Sequence, residues 1–160
     1  MYKLNFVFDK TKKAKKIKRR ILKKNKNISV KKADVIVVAG GDGFMLKTMK
    51  KYYRFNKPFY GINCGSIGFL MNRYSSNKLI EKIKKSKKIK INPLGIKTKT
   101  IHGKSENLLA INELSILRQS KQTAFLNLKI NKKILLKKLI SDGVLISTPA
   151  GSTAYNLSIN

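Results

Sequence analysis

Two different periods of hydrophobic and polar residues divide the chain into a first and a second part. In the first, short apolar runs rich in β-branched and aromatic side chains predict strands at residues 3–8, 33–39 and 59–63. Apolar residues at helical spacing on a lysine-rich background predict helices at residues 12–24 and 44–53. The run at 33–39 is continuous, as in a strand covered on both faces. This alternation of strands and helices predicts an α/β domain with a Rossmann-like parallel sheet.

A third helix is predicted after the last of these strands. Its apolar positions are Leu79, Ile80 and Ile83. Either Ser75 or Ser76 is placed to cap its first turn, since a serine hydroxyl can accept a hydrogen bond from a free N–H group there.

The period changes to strict alternation near Ile91 to Pro93. Alternating segments lie at residues 92–101, 108–117 and 124–130. Short polar joints separate them, which predicts a mostly antiparallel β domain. We therefore divide the chain into an α/β domain at residues 1–92 and the start of a β-rich domain at residues 93–160.

The charge of the chain is extreme and has two interpretations. There are 37 lysines and arginines against seven aspartates and glutamates, for a formal charge of +30. A basic nucleic-acid-binding module is one interpretation, because clustered cations release counterions from phosphates. The other is drift toward the codons of an A/T-rich genome, since only five of the basic residues are arginine. We favour drift and expect no specific nucleic-acid partner, although nonspecific binding at low salt should occur.

Other compositional features point to the cytoplasm. No apolar run approaches the roughly 18 residues that a membrane span needs, so we expect no membrane partner. The single cysteine, Cys64, cannot form an internal disulfide, which fits a reducing compartment. His102 lies in a polar joint, and no cluster of ligand residues predicts a protein-held metal site.

The most informative short segment is V-I-V-V-A-G-G-D-G-F-M-L at residues 35–46. In an open α/β sheet, ligands bind where a strand passes into the next helix. Glycines at that point let backbone N–H groups approach a phosphate, and Asp42 would stand over whatever those groups hold. The alternative is a tight turn in which Asp42 caps the following helix. A second glycine turn at residues 65–68 could equally serve packing.

Two further segments carry candidate chemistry in the second half. Asn112 and Glu113 combine an amide with a carboxylate, a pair that can bond adjacent sugar hydroxyls. The segment D-G-V-L-I-S-T-P-A-G-S-T-A-Y at residues 142–155 joins small residues, hydroxyls and one aromatic ring. This composition suits a purine and ribose pocket, although an exposed strand edge and an ordinary Ser/Thr turn explain the same residues.

Taken together, these segments resemble the NAD kinase family. The matching pieces are G-G-D-G at 40–43, N-C-G-S-I-G-F-L at 63–70, N-E at 112–113 and the segment at 142–155. They occur in the order and at the approximate spacing of the family. Since phosphofructokinases and diacylglycerol-type lipid kinases share G-G-D-G, a lipid or sugar kinase is the alternative that this motif alone would allow.

The resemblance implies a kinase that transfers phosphate from ATP, or polyphosphate in some members, to the 2′-hydroxyl of the adenosine ribose of NAD. A divalent cation, Mg²⁺ for preference, would be required, and Asp42 would be the general base. Gly40, Gly41 and Gly43 would leave room for phosphates. The implied NAD-binding residues are Asp42, Gly43, Lys47, Asn112, Glu113, Asp142, Ala150, Thr153, Ala154, Tyr155, Asn156, Leu157 and Ser158. Members are homodimers or homotetramers whose pocket is partly built across subunits.

Three departures from the family pattern accompany the resemblance. Phe44 stands where many members have threonine, and Ile140 stands where relatives often have a basic residue. Lys137 or Lys138 could replace that cation. Members also continue well beyond the G-S-T-A-Y segment, so we expect the β-rich domain to be incomplete at its C-terminus.

Overall fold

A parallel sheet of three strands in the order β1–β2–β3 organises the first part of the computed structural model, which describes residues 2–66, 68–75 and 77–158. The chain divides into two compact units, Met1–Lys90 and Ile91–Asn160. The strands are β1 (Leu4–Phe8), β2 (Val35–Gly40) and β3 (Phe59–Asn63). The helices are α1 (Lys12–Lys24), α2 (Asp42–Tyr52) and α3 (Leu79–Lys85). The predicted α/β layout with a parallel sheet is confirmed.

The core of the first unit lies on both faces of β2, and every residue of that strand is buried. Val37 and its neighbours on one face pack against α1 and α3. Ile36 and Val38 on the other face pack against Met45 of α2. Successive side chains of a strand point to opposite faces, so a continuous apolar run is what two covering layers require.

The start of α2 differs from the prediction. The helix begins at Asp42 with Gly41 in the N-cap position, and it passes at Tyr53 into a short 3₁₀ turn, Tyr53–Phe55. The side chain of Asp42 does not cap the helix. Its carboxylate instead accepts hydrogen bonds from a distant turn, as described below.

The predicted cap of α3 is also corrected. Lys78 precedes the helix with a left-handed backbone (φ 59°) and makes no side-chain capping bond. The hydroxyl of Ser75 donates to the carbonyl of Asn77, so it is not the cap, and Ser76 lies outside the described residues. The helix has only seven residues, and Ile83 fixes it to the core.

The described part of the second unit contains six antiparallel strands. They are β4 (Leu94–Lys99), β5 (Ser105–Ala110), β6 (Glu113–Leu117), β7 (Ala124–Ile130), β8 (Lys133–Ser141) and β9 (Gly143–Ser147). They pair as β4–β5, β6–β9 and β7–β8. The predicted antiparallel character is confirmed, but the alternating segment at 108–117 contains two strands rather than one, and β8 was not predicted.

The second unit is far more exposed than the first. Among its described residues only Thr148 and Gly151 are buried. Large apolar side chains such as Leu117 and Phe125 are about two-thirds exposed, at 65% and 64%. Across the described parts of both units, no helix has the length and apolar character that crossing a bilayer would demand.

Candidate functional site

Asp42 lies at the carboxyl end of β2, in the first turn of α2. Its Oδ2 atom accepts a hydrogen bond from the backbone N–H of Phe69 at 2.8 Å, and its Oδ1 atom accepts one from Leu70 at 3.1 Å. A carboxylate offers about four lone-pair sites, so two bonds fix its orientation without exhausting its capacity. The side chain is therefore held in place with lone pairs left for a further partner.

The second glycine turn is itself fastened to the end of the sheet. The side-chain oxygen of Asn63 accepts from the N–H of Gly65 at 2.7 Å, and Lys13 of α1 donates to the carbonyl of Gly65 at 3.0 Å. A side chain at Gly68 would place its Cβ 3.0 Å from Oδ1 of Asp42. Glycine at this position thus lets the turn approach the carboxylate. Ile67, within the same motif, lies outside the described residues.

The three glycines around Asp42 differ in whether the surrounding structure requires a glycine at that position. A Cβ on Gly40 would lie 2.6 Å from the Phe44 ring, so the packing of Phe44 requires glycine there. At Gly41 and Gly43, an added Cβ would meet nothing within 4 Å among the described residues. Neither of these two glycines has a left-handed backbone. The fold of this unit therefore does not explain them, and the space beside them is open to a ligand.

Helix α2 presents its N-terminus at this open space. The first intrahelical bond runs from the N–H of Met45 to the carbonyl of Gly41. The N–H groups of the preceding helical residues have no intrahelical partner, and together with the helix dipole they favour an anion. Lys47 is exposed on the same helix, but five residues place it about 140° around the axis from Asp42.

Cys64 lies at the start of the fastened turn. It is buried, at 7% exposure, and burial raises the pKa of its thiol. Lys13 opposes this shift of the pKa and Asp9 reinforces it. Burial thus disfavours the thiolate form of Cys64, as is typical of a cysteine that packs in the interior.

In the second unit, Asn112 and Glu113 lie against the segment that follows β9. Glu113 pairs with Ser147 across the β6–β9 ladder, and the N–H of Thr148 donates to the carbonyl of Asn112 at 2.7 Å. The buried Thr148 hydroxyl donates to the carbonyl of Ile111 at 2.7 Å and accepts from the N–H of Gly151 at 3.0 Å. Two motifs that are 35 residues apart in the sequence are thereby brought together.

The carboxylate of Glu113 has an unsatisfied atom. Its Oε2 is buried and has no hydrogen-bond partner among the described residues. Buried polar atoms in native structures are rarely left unpaired. A donor is therefore expected at this position, and a ligand hydroxyl or amine would satisfy it.

Asp142 lies at the opposite end of the same strand pair. Its carboxylate forms an ion pair with Arg118 at 2.6 Å, and its carbonyl accepts from the N–H of Arg118 at 2.8 Å. The five residues of β9 separate it from Thr148, a span of roughly 20 Å at the usual strand rise. Asp142 and Glu113 of one chain thus do not contact the same small group.

The remaining predicted residues lie in a turn-rich segment after β9. Pro149–Gly151 and Tyr155–Ser158 are short 3₁₀ turns, and the Tyr155 side chain is half exposed. The exposed positions of the segment also include Ala150, Thr153, Leu157 and Ser158, whereas Ala154 and Asn156 are half-buried. The hydroxyls of Ser147, Thr148 and Ser152 bond to backbone carbonyls of the protein itself. They organise the turn rather than offering three ready ligand donors.

Sequence reasoning did not identify the backbone N–H groups that orient Asp42. It also did not identify the Thr148 hydroxyl, which connects the segment before β6 to the turn after β9. Gly68 was the available signal for the first, because a glycine in an otherwise apolar segment marks a close approach. The described residues contain no group of three or more His, Cys, Asp or Glu side chains that could hold a metal ion.

A carboxylate at the carboxyl end of a parallel sheet, beside open glycines and a helix N-terminus, is the arrangement at which open-sheet α/β proteins bind phosphorylated ligands. Comparison with known proteins gives the particular family. Residues 2–88 match the family model of the ATP-NAD kinase N-terminal domain, and residues 111–160 match that of the ATP-NAD kinase C-terminal domain. The chain belongs to the NAD kinase family.

Relatives and a solved structure agree with this assignment. The chain is 40% identical over 158 residues to the NAD kinase of Zymomonas mobilis, covering 98% of this chain and 61% of the relative. It is 43% identical over 145 residues to that of Caulobacter vibrioides, covering 91% and 56%. The crystal structure of yeast NADH kinase complexed with NADH matches 79% of this chain and 39% of that chain, with a TM-score of 0.58 and 26% identity. The chain thus spans about 60% of the length of the Zymomonas relative.

Proposed function

We propose that this protein is an NAD kinase that transfers the γ-phosphate of ATP to the 2′-hydroxyl of the adenosine ribose of NAD, giving NADP. The observation that supports this most is the Asp42 carboxylate, which two backbone N–H groups orient at an open glycine turn. Because the chain belongs to the NAD kinase family, we propose NAD as the substrate whose hydroxyl approaches this carboxylate.

Asp42 would act as the general base. A ribose hydroxyl is a poor nucleophile at neutral pH, and a positioned base accelerates such a step by roughly 10² to 10⁴. The bonds from Phe69 and Leu70 would hold the carboxylate while one of its remaining lone pairs accepts the proton. The hydroxyl oxygen then forms its bond to the γ-phosphorus as the bond to the departing ADP breaks.

The open side of the glycine turn would receive the phosphates. Gly41 and Gly43 leave space there, and the free N–H groups at the start of α2 would bind phosphate oxygens. A divalent cation would supply charge neutralisation. Asp42 belongs to no group of three or more His, Cys, Asp or Glu side chains among the described residues, which suits Mg²⁺ that arrives on nucleotide phosphates and takes one or two protein carboxylates. Polyphosphate is an alternative donor with the same phosphate chemistry.

The second unit would hold the dinucleotide. Glu113 Oε2 lacks a donor among the described residues, and a ribose hydroxyl or base amine of NAD would supply one, with Asn112 beside it. Residues 153–158 would continue the pocket, with Tyr155 packing on a ring. Because Asp142 lies at the other end of the strand pair, we propose that it serves the pocket of a second subunit in a homodimer or homotetramer. We also propose a cytoplasmic location, because a single cysteine cannot form an internal disulfide.

The test is a matched pair of substitutions. Asp42→Asn removes the proposed base, while Asp34→Asn removes another carboxylate of the first unit that accepts a backbone N–H, from Lys3 at 2.7 Å. Both substitutions weaken such bonds, so their effects on stability should be similar. We expect NADP formation from NAD, ATP and Mg²⁺ to fall by roughly 10² to 10⁴ in Asp42→Asn and by less than about threefold in Asp34→Asn.

Equal losses of activity in the two variants would show that Asp42 acts only through stability. Phosphorylation of a lipid or free sugar, with NAD left unchanged, would replace the proposed reaction with that of another G-G-D-G kinase.

A further inference from the structure

Helix α1 carries a row of four exposed cations along its solvent side. Lys12, Lys16, Arg19 and Lys23 are spaced at i, i+4, i+7 and i+11, so they follow one line along the helix. We call this row the basic stripe. The side chains on the opposite side of the helix are the buried Ala14, Ile17 and Ile21. The stripe is thus fixed in orientation by the core and extends for about 16 Å at the helical rise.

No carboxylate compensates the stripe. Helix α1 contains no acidic residue, and nine of its 13 residues are basic. The ion pairs among the described residues are Lys78–Glu81, Lys104–Glu106 and Arg118–Asp142, none of which involves α1. Like charges three and four residues apart destabilise a helix, and bound anions would relieve this repulsion.

Helix α1 differs from the rest of the lysine-rich chain because it carries two adjacent arginines. A/T-rich codon usage explains lysine, but two of the five arginines, Arg19 and Arg20, are adjacent on α1. Both are exposed. The planar guanidinium suits phosphate, because it donates two parallel hydrogen bonds. General compositional drift does not predict their concentration at one place.

The buried apolar face of α1 and its lack of aromatic residues limit which class of partner can bind the basic stripe. A membrane-binding amphipathic helix inserts its apolar face, whereas the apolar face of α1 is buried in the core. Proteins that bind single strands stack bases on aromatic rings, and α1 contains no aromatic residue. A double helix offers rows of phosphates that need only cations. We propose that the basic stripe binds the phosphate backbone of double-helical nucleic acid without reading its sequence.

Four lysine or arginine contacts to phosphates would make the affinity for a duplex depend measurably on salt concentration. Each neutralised phosphate of a DNA duplex contributes about −0.9 to the slope of log K against log salt concentration. The stripe should therefore contribute a slope of about −3 to −4. Its share of the affinity would fall roughly 100-fold between about 50 and 200 mM salt.

The experiment compares two variants with equal net charge, using a mixed-sequence DNA duplex as the probe. The stripe variant combines Lys12→Gln, Lys16→Gln, Arg19→Gln and Lys23→Gln. The control combines Lys31→Gln, Lys32→Gln, Lys87→Gln and Lys88→Gln, which are exposed positions outside the α-helices. Fluorescence anisotropy at several salt concentrations, without NAD or ATP, gives affinity and slope independently of any kinase activity.

We expect the stripe variant to bind the duplex at least about 30-fold more weakly at about 50 mM salt, with a slope smaller by roughly 3 to 4. The control should stay within about threefold of the unmodified chain. Thermal unfolding should show that the stripe variant is folded, because the substitutions remove repulsion. Equal losses in both variants would reduce the effect to net charge and overturn the proposal. Binding to single-stranded DNA or anionic vesicles as tight as to the duplex would also overturn it.

Discussion

Asp42 illustrates how much a single residue's neighbours in the sequence reveal. The change from an apolar run to G-G-D-G placed it correctly at the end of a strand, because that change of period marks where a sheet passes into a helix. The sequence could not show that N–H groups 27 and 28 residues further along hold its carboxylate. Every residue except proline has a backbone N–H, so such partners carry no signature of their own.

At the residue scale, we predict that substitutions of two adjacent glycines affect different properties, stability for one and nucleotide binding for the other. Gly40→Ala should lower the free energy of unfolding by about 1–3 kcal/mol, because its Cβ would overlap with the Phe44 ring. Gly41→Ala should leave stability within about 0.5 kcal/mol but weaken nucleotide binding, since its methyl group would occupy the space proposed for phosphates. Urea unfolding and ATP titration measure the two effects.

The double variant Gly40→Ala, Phe44→Ala provides the control. With the ring removed, the Gly40→Ala substitution should cost much less stability than it does in the unmodified chain, when the double variant is compared with Phe44→Ala alone. Unaltered ATP affinity in Gly41→Ala would argue that the open side of the turn does not receive phosphates.

Strand β8 shows why one element escaped prediction. Its sequence, K-I-L-L-K-K-L-I-S, has no simple alternation. The β7–β8 ladder shifts register around Leu128, and Lys138 has a positive φ of 58° while its N–H bonds to Asn127. Such irregularities reset which residues share a face, so period alone cannot identify the strand. Likewise β5 and β6 read as one alternating segment, although they pair with different strands.

The connection between β6 and the segment after β9 gives a prediction at this scale. Thr148→Val removes the hydroxyl that donates to the carbonyl of Ile111 and accepts from the N–H of Gly151. The Gly151 N–H keeps the Thr148 carbonyl as an acceptor at 3.0 Å, so it is the Ile111 carbonyl that loses its donor. We expect a loss of about 1–3 kcal/mol in the free energy of unfolding, together with a higher KM for NAD. Thr148→Ser keeps the hydroxyl and should retain most of both properties. Equal effects of the two substitutions would assign Thr148 a packing role only.

At the scale of the whole molecule, the distribution of buried residues is uneven. The buried apolar residues all belong to the first unit, within the described residues. The second unit has strand pairs with exposed apolar side chains on them. Composition did not reveal this difference, since both parts combine apolar with polar residues. The difference in burial between the two units depends on how many layers cover each strand.

This difference predicts the behaviour of fragments divided at the proposed boundary. A fragment of residues 1–92 should fold cooperatively, because it contains the sheet and both layers of its core. A fragment of residues 93–160 alone should not, since isolated strand pairs are marginal in water. Circular dichroism with urea titration distinguishes the outcomes. A cooperative transition in the second fragment, or none in the first, would contradict the proposed division.

The central proposal is that the Asp42 carboxylate is the general base for the ribose 2′-hydroxyl of NAD. A crystal structure of the protein with NAD bound tests this most directly. We predict an Asp42 oxygen within about 3.2 Å of the ribose 2′-oxygen. NAD bound with its 2′-hydroxyl beyond hydrogen-bonding reach of Asp42 would contradict the proposal.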